Sequence, residues 1–188
     1  MGVRIVIGTL ALAVSTHMAS AAGLGLYASY WDADEATDEV GFGAKLQIPG
    51  SGQLSYEVRG GMFNFEEEND ALGLSASLDA VPIEAGVVFK LGGSDSFSPY
   101  IGGGGGYYVF SDLEFSDGVI TESYDTDPGI GFYGVAGIEI SLAGNMTLFA
   151  EAKYTSVEFD ASDVIVAGND VTYDMSGMGA NAGLLIKW

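Results

Sequence analysis

The sequence predicts an all-β fold: an eight-stranded antiparallel up-and-down β-barrel that spans a membrane. Three observations lead to this prediction. Apolar and polar residues alternate with period two through most of the chain, which is typical of strands with two different faces. The charged residues of these segments fall on one phase of the alternation. After residue 22, no apolar run reaches the roughly 18 residues of a membrane-spanning helix, so a closed barrel is the remaining way to cross a bilayer.

Each strand is predicted from alternation bounded by turn residues. In the second strand, Val40, Phe42 and Ala44 alternate with Gly41 and Gly43, and the third strand repeats the pattern after a Pro-Gly-Ser-Gly turn. The fourth strand has a proline on its polar phase, the fifth contains a run of five glycines, and the last three alternate as the second does. In chain order the predicted strands are 23–31, 40–48, 54–62, 81–90, 99–110, 130–139, 148–155 and 180–188.

The predicted connections fall into two classes that alternate along the chain. Those near 49–52, 92–98 and 142–145 are short, whereas 32–39, 64–74, 111–128 and 159–173 are longer and acidic. This order puts both ends of the barrel on the short-turn side. Outer-membrane barrels have the same arrangement, with short periplasmic turns and longer external loops.

The charged phase of the strands is expected to face the lumen, because charges are costly in lipid. A soluble barrel, the alternative considered, would place its polar phase outside and its apolar phase inside. Eight strands leave an interior that side chains just fill, so we expect a lumen of paired charges. The predicted lumen charge network contains Lys45, Glu57, Arg59, Glu84, Lys90, Glu139, Glu151, Lys153 and Lys187.

Within this network, the sequence predicts one specific pairing register. The short turn at 49–52 and the need to keep like faces together favour Lys45 opposite Glu57, with Gly43 beside Arg59 and Gln47 beside Ser55. A slip by two residues would place Lys45 opposite Ser55 in one direction or opposite Arg59 in the other, and like-charge repulsion disfavours the second. Arg59 is then expected to pair with Glu84 on the next strand.

The apolar phase is expected to form a lipid-facing belt with aromatic residues at its edges. The residues assigned to this belt are Leu46, Tyr56, Phe89, Ile138, Tyr154 and Trp188.

The chain resembles the small OmpA/OmpX-type outer-membrane β-barrels, with OmpW-type barrels as an alternative relative. The resemblance rests on Pro99 to Tyr108, on the hairpin from Gly137 to Tyr154, and on the C-terminal residues. It implies the outer membrane of a Gram-negative-type bacterium, with lipid and lipopolysaccharide as surroundings. It also implies that Leu184, Ile186 and Trp188 form the insertion signal read by the barrel-assembly machinery, with periplasmic chaperones assisting. The family more often ends in phenylalanine, so Trp188 is a departure.

An enzymatic function is not expected, and neither is a cofactor. The chain has no cysteine, and its one histidine, His17, lies in the predicted leader. The mature chain would therefore lack the histidine base of serine hydrolases and the cysteine and histidine ligands of the usual zinc sites. The five-glycine run lacks the spacing of a nucleotide-binding loop. The mature chain would carry 5 basic and 26 acidic residues, a net charge of −21, which opposes nucleic-acid binding.

The acidic loops allow two interpretations. Asp32, Asp34, Glu35, Asp38 and Glu39 in the first loop, and Glu66, Glu67, Glu68 and Asp70 in the second, form a solvated outer surface or bind Ca²⁺ or Mg²⁺ weakly. The expected function is a role in envelope integrity or surface contact and adhesion. The alternative is a passive channel for small or apolar solutes, a role that resembles the one proposed for OmpW-type barrels.

The N-terminus predicts a cleaved signal peptide over residues 1–21, followed by the barrel domain at 22–188. Arg4 provides the positive region, residues 5–14 are apolar, and Ala19-Ser20-Ala21 is a small-residue cleavage site. We expect the intact mass of the membrane-inserted protein to begin at Ala22. A mature protein that retains Met1 would contradict export through this segment.

Overall fold

The computed structural model describes residues 22–34, 36–69, 74–94, 96–111, 113–116, 121–124, 126–166 and 169–188. The predicted signal peptide, residues 1–21, lies outside them. Twelve β-strands are present in this part of the chain. They are β1 (Gly23–Ala33), β2 (Glu39–Pro49), β3 (Leu54–Asn69), β4 (Leu74–Lys90), β5 (Phe97–Phe110), β6 (Leu113–Ser116), β7 (Thr121–Tyr124), β8 (Gly129–Ser141), β9 (Met146–Ser156), β10 (Glu158–Val166), β11 (Asn169–Asp174) and β12 (Gly177–Lys187). The described residues contain no helix long and apolar enough to cross a membrane.

Eight of the strands form a closed antiparallel barrel, which confirms the predicted fold class. The order around the barrel is β3, β2, β1, β12, β9, β8, β5 and β4, and pairing of β3 with β4 closes the circle. β1 pairs with β2 on one side and with β12 on the other, so the chain ends complete the wall. Closure gives strand edges their hydrogen-bond partners, which a wall surrounded by lipid requires.

The short turns and both ends of the barrel lie on one side. β2 and β3, β4 and β5, and β8 and β9 are joined by short connections, and the Trp188 N–H donates to the Ala22 carbonyl over 2.9 Å. Gly52 and Gly144 occupy turn positions with φ of 64° and 77°, a left-handed conformation that glycine adopts without steric cost.

The long connections contain more strand than the sequence predicted. β3 and β4 extend to Asn69 and Leu74, β6 and β7 form a hairpin within 111–128, and β10 and β11 form another that spans 159–173 and one residue on each side. Treating these segments as loops was therefore wrong. A ladder beyond the membrane can have polar residues on both faces, so the alternation that identifies a strand within the bilayer is weak there.

The strand faces follow the parity of the sequence. Burial alternates at every residue of β1, and the large side chains exposed on the outside of the barrel are apolar, with polar ones such as Asp32, Asn64 and Asp79 near the long connections. The belt residues Tyr56, Phe89, Tyr154 and Trp188 are exposed on the outside. Leu46 and Ile138 lie on the same outward phase and are partly exposed.

The predicted register between β2 and β3 was wrong by two residues. Lys45 is opposite Arg59, Gln47 is opposite Glu57, and Gly43 is opposite Gly61. The ladder ends with Pro49 opposite Ser55, and the Gly50 N–H donates to the Leu54 carbonyl across the turn. The turn therefore sets the register, and carboxylates from elsewhere in the barrel offset the repulsion between Lys45 and Arg59.

The outward phase gives a stability prediction. Arg in place of Ile138 should lower the free energy of unfolding in lipid, because the charge enters the apolar band. Ile138 lies three residues inside the short-turn end of β8, between the interface and mid-membrane, so we expect a loss of about 1 to 2 kcal/mol. Unfolding in liposomes measures this change. Arg at Ser51, in an exposed short turn, is the control and should be neutral; an equal loss in both variants would contradict the assigned face.

Candidate functional site

The centre of the barrel holds a buried network of four charged side chains. Lys45 Nζ lies 3.3 Å from Glu57 Oε2 and 3.2 Å from Glu151 Oε2. Arg59 Nη1 lies 2.5 Å from Glu151 Oε1, and its Nη2 pairs with Glu57 Oε1. All four side chains are at most 2% exposed. Because β3 and β9 are four strands apart in an eight-stranded barrel, the contact between Arg59 and Glu151 joins opposite walls.

The pairing partners differ in part from the sequence prediction. Lys45 and Glu57 do form an ion pair, but they reach each other diagonally rather than from opposed positions. Arg59 is directly opposite Glu84 along the β3–β4 ladder, yet its guanidinium binds Glu57 and Glu151. The expected pairing of Arg59 with Glu84 was therefore wrong, because Glu57, two residues away on the same strand, and Glu151 from the opposite wall bind the guanidinium, and Glu84 pairs with Lys153.

The remaining predicted charges form two further groups. In the first group, Lys153 Nζ lies 2.6 Å from Glu84 Oε1. Near the short turns, Glu139 Oε2 lies 2.8 Å from Lys90 Nζ and 2.6 Å from Lys187 Nζ. The two lysines of this lower group are about a quarter exposed, unlike the central charges. The structure thus brings all nine predicted residues into ion pairs within the barrel.

Polar and aromatic residues that the sequence reasoning missed complete the central network. Tyr100 donates to Glu151 Oε2 over 2.6 Å and Asn181 donates to Glu151 Oε1 over 2.8 Å. Lys45 Nζ lies 3.7 Å from the centre of the Phe149 ring. These residues share the inward parity of the charges, so parity applied to uncharged residues would have identified them.

Glycines make room for the inward-pointing tyrosines. A Cβ on Gly43 would lie 2.4 Å from the Tyr27 ring, and one on Gly137 would lie 2.6 Å from the Tyr100 ring. Both distances are far below van der Waals contact. This agrees with the sequence interpretation that glycines permit close packing in the strands.

Toward the long connections, the interior changes from charged to apolar. Its buried residues pack in one cluster that we term the apolar layer: Trp31, Ala33, Phe63, Phe65, Leu78, Ala80, Tyr108, Phe110, Val157, Phe159 and Met175. Phe110 stacks on Phe159 with ring centres 4.3 Å apart, and Tyr108 connects the layer to the charges below by donating to Glu84 Oε1. This layer was not predicted from the sequence, although its residues lie on the inward phase.

Beside the apolar layer, the ladder between β3 and β4 is interrupted. Gly60 pairs with Ile83 and Phe63 pairs with Ala80 in the same register, but the two pairs between them are missing from this ladder: Gly61 with Pro82, and Met62 with Val81. Pro82 has no N–H to donate. A groove of about 350 Å³ lies in the wall here. Its lining consists of Leu26, Phe42, Gly43, Ala44, Gly60, Gly61, Met62, Val81, Pro82 and Ile83.

The acidic side chains and the C-terminal residues are the remaining predicted sites. No group of three or more metal-ligating side chains occurs among the residues that the structure describes. Several acidic positions, including Glu35 and Asp70 and the side chains of Glu66–Glu68, lie outside the described part. Leu184, Ile186 and Trp188 are exposed on the outward face of β12 and just after it, and their role in assembly stays a prediction.

Comparison with known proteins places this architecture. Residues 5–184 match the model of the "Outer membrane protein beta-barrel domain" family. OprG from Pseudomonas aeruginosa is 17% identical with a TM-score of 0.69, covering 92% of this chain and 97% of its own. Neisserial surface protein A is 12% identical with a TM-score of 0.58, and the match covers 89% of this chain and 96% of that protein. Ail of Yersinia pestis is 15% identical with a TM-score of 0.55, covering 89% and 97%. No curated protein sequence matches significantly.

The central network predicts which carboxylate matters most for stability. Glu151→Ala should destabilise the barrel by about 3 to 5 kcal/mol, because it leaves Arg59 and Lys45 buried with half of their partners. Glu139→Ala is the matched control and should cost less, because Lys90 and Lys187 are partly exposed. Urea unfolding in lipid vesicles measures both, and an equal loss would contradict the importance of the central pairs.

Proposed function

Because the chain belongs to the outer membrane protein β-barrel domain family, we propose that it is a non-enzymatic barrel through which small apolar molecules pass from the loop side into the surrounding lipid. The protein sits in the lipid and lipopolysaccharide environment of the outer membrane. The apolar layer carries the proposal. Barrel interiors in this membrane are usually polar, so a lumen half that is filled by aromatic and aliphatic side chains favours an apolar passenger.

The nine charged side chains that form ion pairs inside the barrel, which we term the charged layer, support a barrel that is closed toward the short turns. Arg59 reaches from β3 to Glu151 on β9, and Lys45 lies against both central carboxylates. Tyr100 and Asn181 hold Glu151 in place, so opening a water-filled path here would require several buried ion pairs to separate. An ion channel is therefore not the function that this interior favours.

The interrupted wall supports an exit to the side. Gly61 has no side chain, and a Cβ at that position would lie 3.4 Å from both the Phe63 ring and Pro82. The wall is thus thin where the apolar layer meets the groove, and Pro82 donates no ladder hydrogen bond there, so β3 and β4 are held together by fewer hydrogen bonds at this height. Rearrangement of Phe63 would connect the apolar layer with the lipid.

A role in envelope integrity or surface contact is the second candidate. Its support is the exposed acidic surface at the β1–β2 connection, where Asp32, Asp34 and Asp38 are exposed. The cross-lumen ion pairs suit such a role equally well, because they stabilise the barrel without any passenger. Assembly by the barrel-assembly machinery with periplasmic chaperones, and weak divalent-cation binding at the loops, remain proposals.

A disulfide across the interrupted wall tests the lateral exit. The register on both sides places Met62 opposite Val81, and the chain contains no cysteine, so M62C/V81C creates a single defined crosslink. In cells that display this variant, oxidation should slow entry of the apolar fluorophore 1-N-phenylnaphthylamine to the level of cells without the barrel. Reduction with dithiothreitol should restore entry. Fluorescence increase in the membrane measures the rate.

The matched control is L46C/V58C, an outward-facing pair of the intact β2–β3 ladder. Its oxidation should leave entry unchanged, and neither variant should carry a steady ion current in planar bilayers. Entry that is equal with and without the barrel would contradict the apolar route and leave the structural role. If entry depends on the barrel but the oxidised M62C/V81C variant admits the fluorophore at the native rate, the exit lies elsewhere.

A further inference from the structure

The apolar layer contains a hydrogen-bond donor without an acceptor. Trp31 is buried on the inward face of β1, and no acceptor lies within hydrogen-bonding distance of its Nε1 among the residues that the structure describes. Its ring centre lies 5.2 Å from that of Phe63, 5.6 Å from Phe65 and 6.2 Å from Tyr108. Aromatic rings accept hydrogen bonds only weakly, so the indole N–H is buried at a cost.

The polar groups nearest to this layer are already committed to one another. The Tyr108 hydroxyl donates to Glu84 Oε1 over 2.5 Å, and Lys153 Nζ donates to the same oxygen over 2.6 Å. The unpaired indole N–H therefore stands out in a lining that otherwise presents hydrocarbon and ring surfaces. A passenger that brought its own acceptor would satisfy it.

We propose that Trp31 Nε1 selects neutral apolar molecules that carry one hydrogen-bond-accepting oxygen, such as alkyl ketones, aldehydes and ethers. This inference rests on the proposed apolar route and names its substrate class. The alkyl chain packs against the aromatic rings while the indole N–H donates to the oxygen. Trp31 is thus a selectivity-determining residue of the route.

Charge excludes fatty-acid anions from the proposed class. The eleven residues of the apolar layer include no cation, and Lys153 beneath it is paired with Glu84. The exposed carboxylates Asp32, Asp34 and Asp38 lie near the same end of β1 and repel anions. A carboxylate that entered the layer would therefore be buried with one neutral donor, which does not offset its lost hydration.

Three probes of equal carbon number test the selection: undecane, 2-undecanone and undecanoate. Their affinities are measured by displacement of 1-N-phenylnaphthylamine from the refolded barrel in detergent, for the native chain and for W31F. W31F keeps an aromatic ring and removes the donor, and heat-dependent gel mobility verifies its folding. Because both proteins are measured in the same micelles, differences in how the probes partition into detergent cancel between them.

We expect the ratio of ketone to alkane affinity to fall by about three- to tenfold from the native chain to W31F, the range of one net hydrogen bond. Undecanoate should displace the fluorophore least. W188F leaves Trp31 as the only tryptophan of the mature chain, so its fluorescence should shift with 2-undecanone but little with undecane.

The outcomes separate this inference from the function on which it rests. An unchanged ratio in W31F, with both neutral probes still displacing the fluorophore, would overturn the role of Trp31 and leave the apolar route intact. Failure of every probe to displace the fluorophore from the native chain would contradict the apolar route itself, and with it the selection. Displacement by undecanoate as strong as by the ketone would overturn the restriction to neutral molecules.

Discussion

The contact between Arg59 and Glu151 is the interaction on which the interior of this barrel depends. Five cations and four carboxylates point inward from eight strands, and the surrounding lipid leaves them no other place where charges are tolerated. The central four charges sum to zero and lie where water is excluded, so each must be paired to be buried at acceptable cost. The pairing also joins opposite walls, which holds a narrow barrel at fixed width.

The charged layer and the apolar layer divide the lumen, and Tyr108 is the residue that belongs to both. Its ring packs near Trp31 in the apolar layer, and its hydroxyl donates to Glu84 below. Small residues on neighbouring strands leave space for such large inward side chains, as Gly43 does for Tyr27. The glycines of the strands therefore provide the space that the aromatic side chains of the lumen occupy.

Parity within the strands was sufficient to predict the barrel and the inward charges, because lipid on one side forces a strict separation of the two faces. It could not choose between registers that differ by two residues, since such registers expose the same faces. Repulsion between Lys45 and Arg59 was a pairwise argument, and it failed because Glu151 arrives from β9, a contact that neighbouring strands cannot reveal. The apolar layer was missed for another reason. Phe63 and Phe65 lie on the inward phase, but only charged residues of that phase were assigned to the lumen.

The interruption between β3 and β4 is tolerable only at the height where it occurs. Beside the central network, a gap would expose paired charges to lipid. Opening the wall there would also separate buried charges from their partners, which is costly. Beside the apolar layer, the interior and the lipid have similar polarity, so little is lost when the wall is thin. Pro82 reduces the cost further, because a residue without an N–H leaves one fewer donor unsatisfied in the gap. The position of the weak point is thus set by the division of the lumen, which links the charged network to the proposed lateral route.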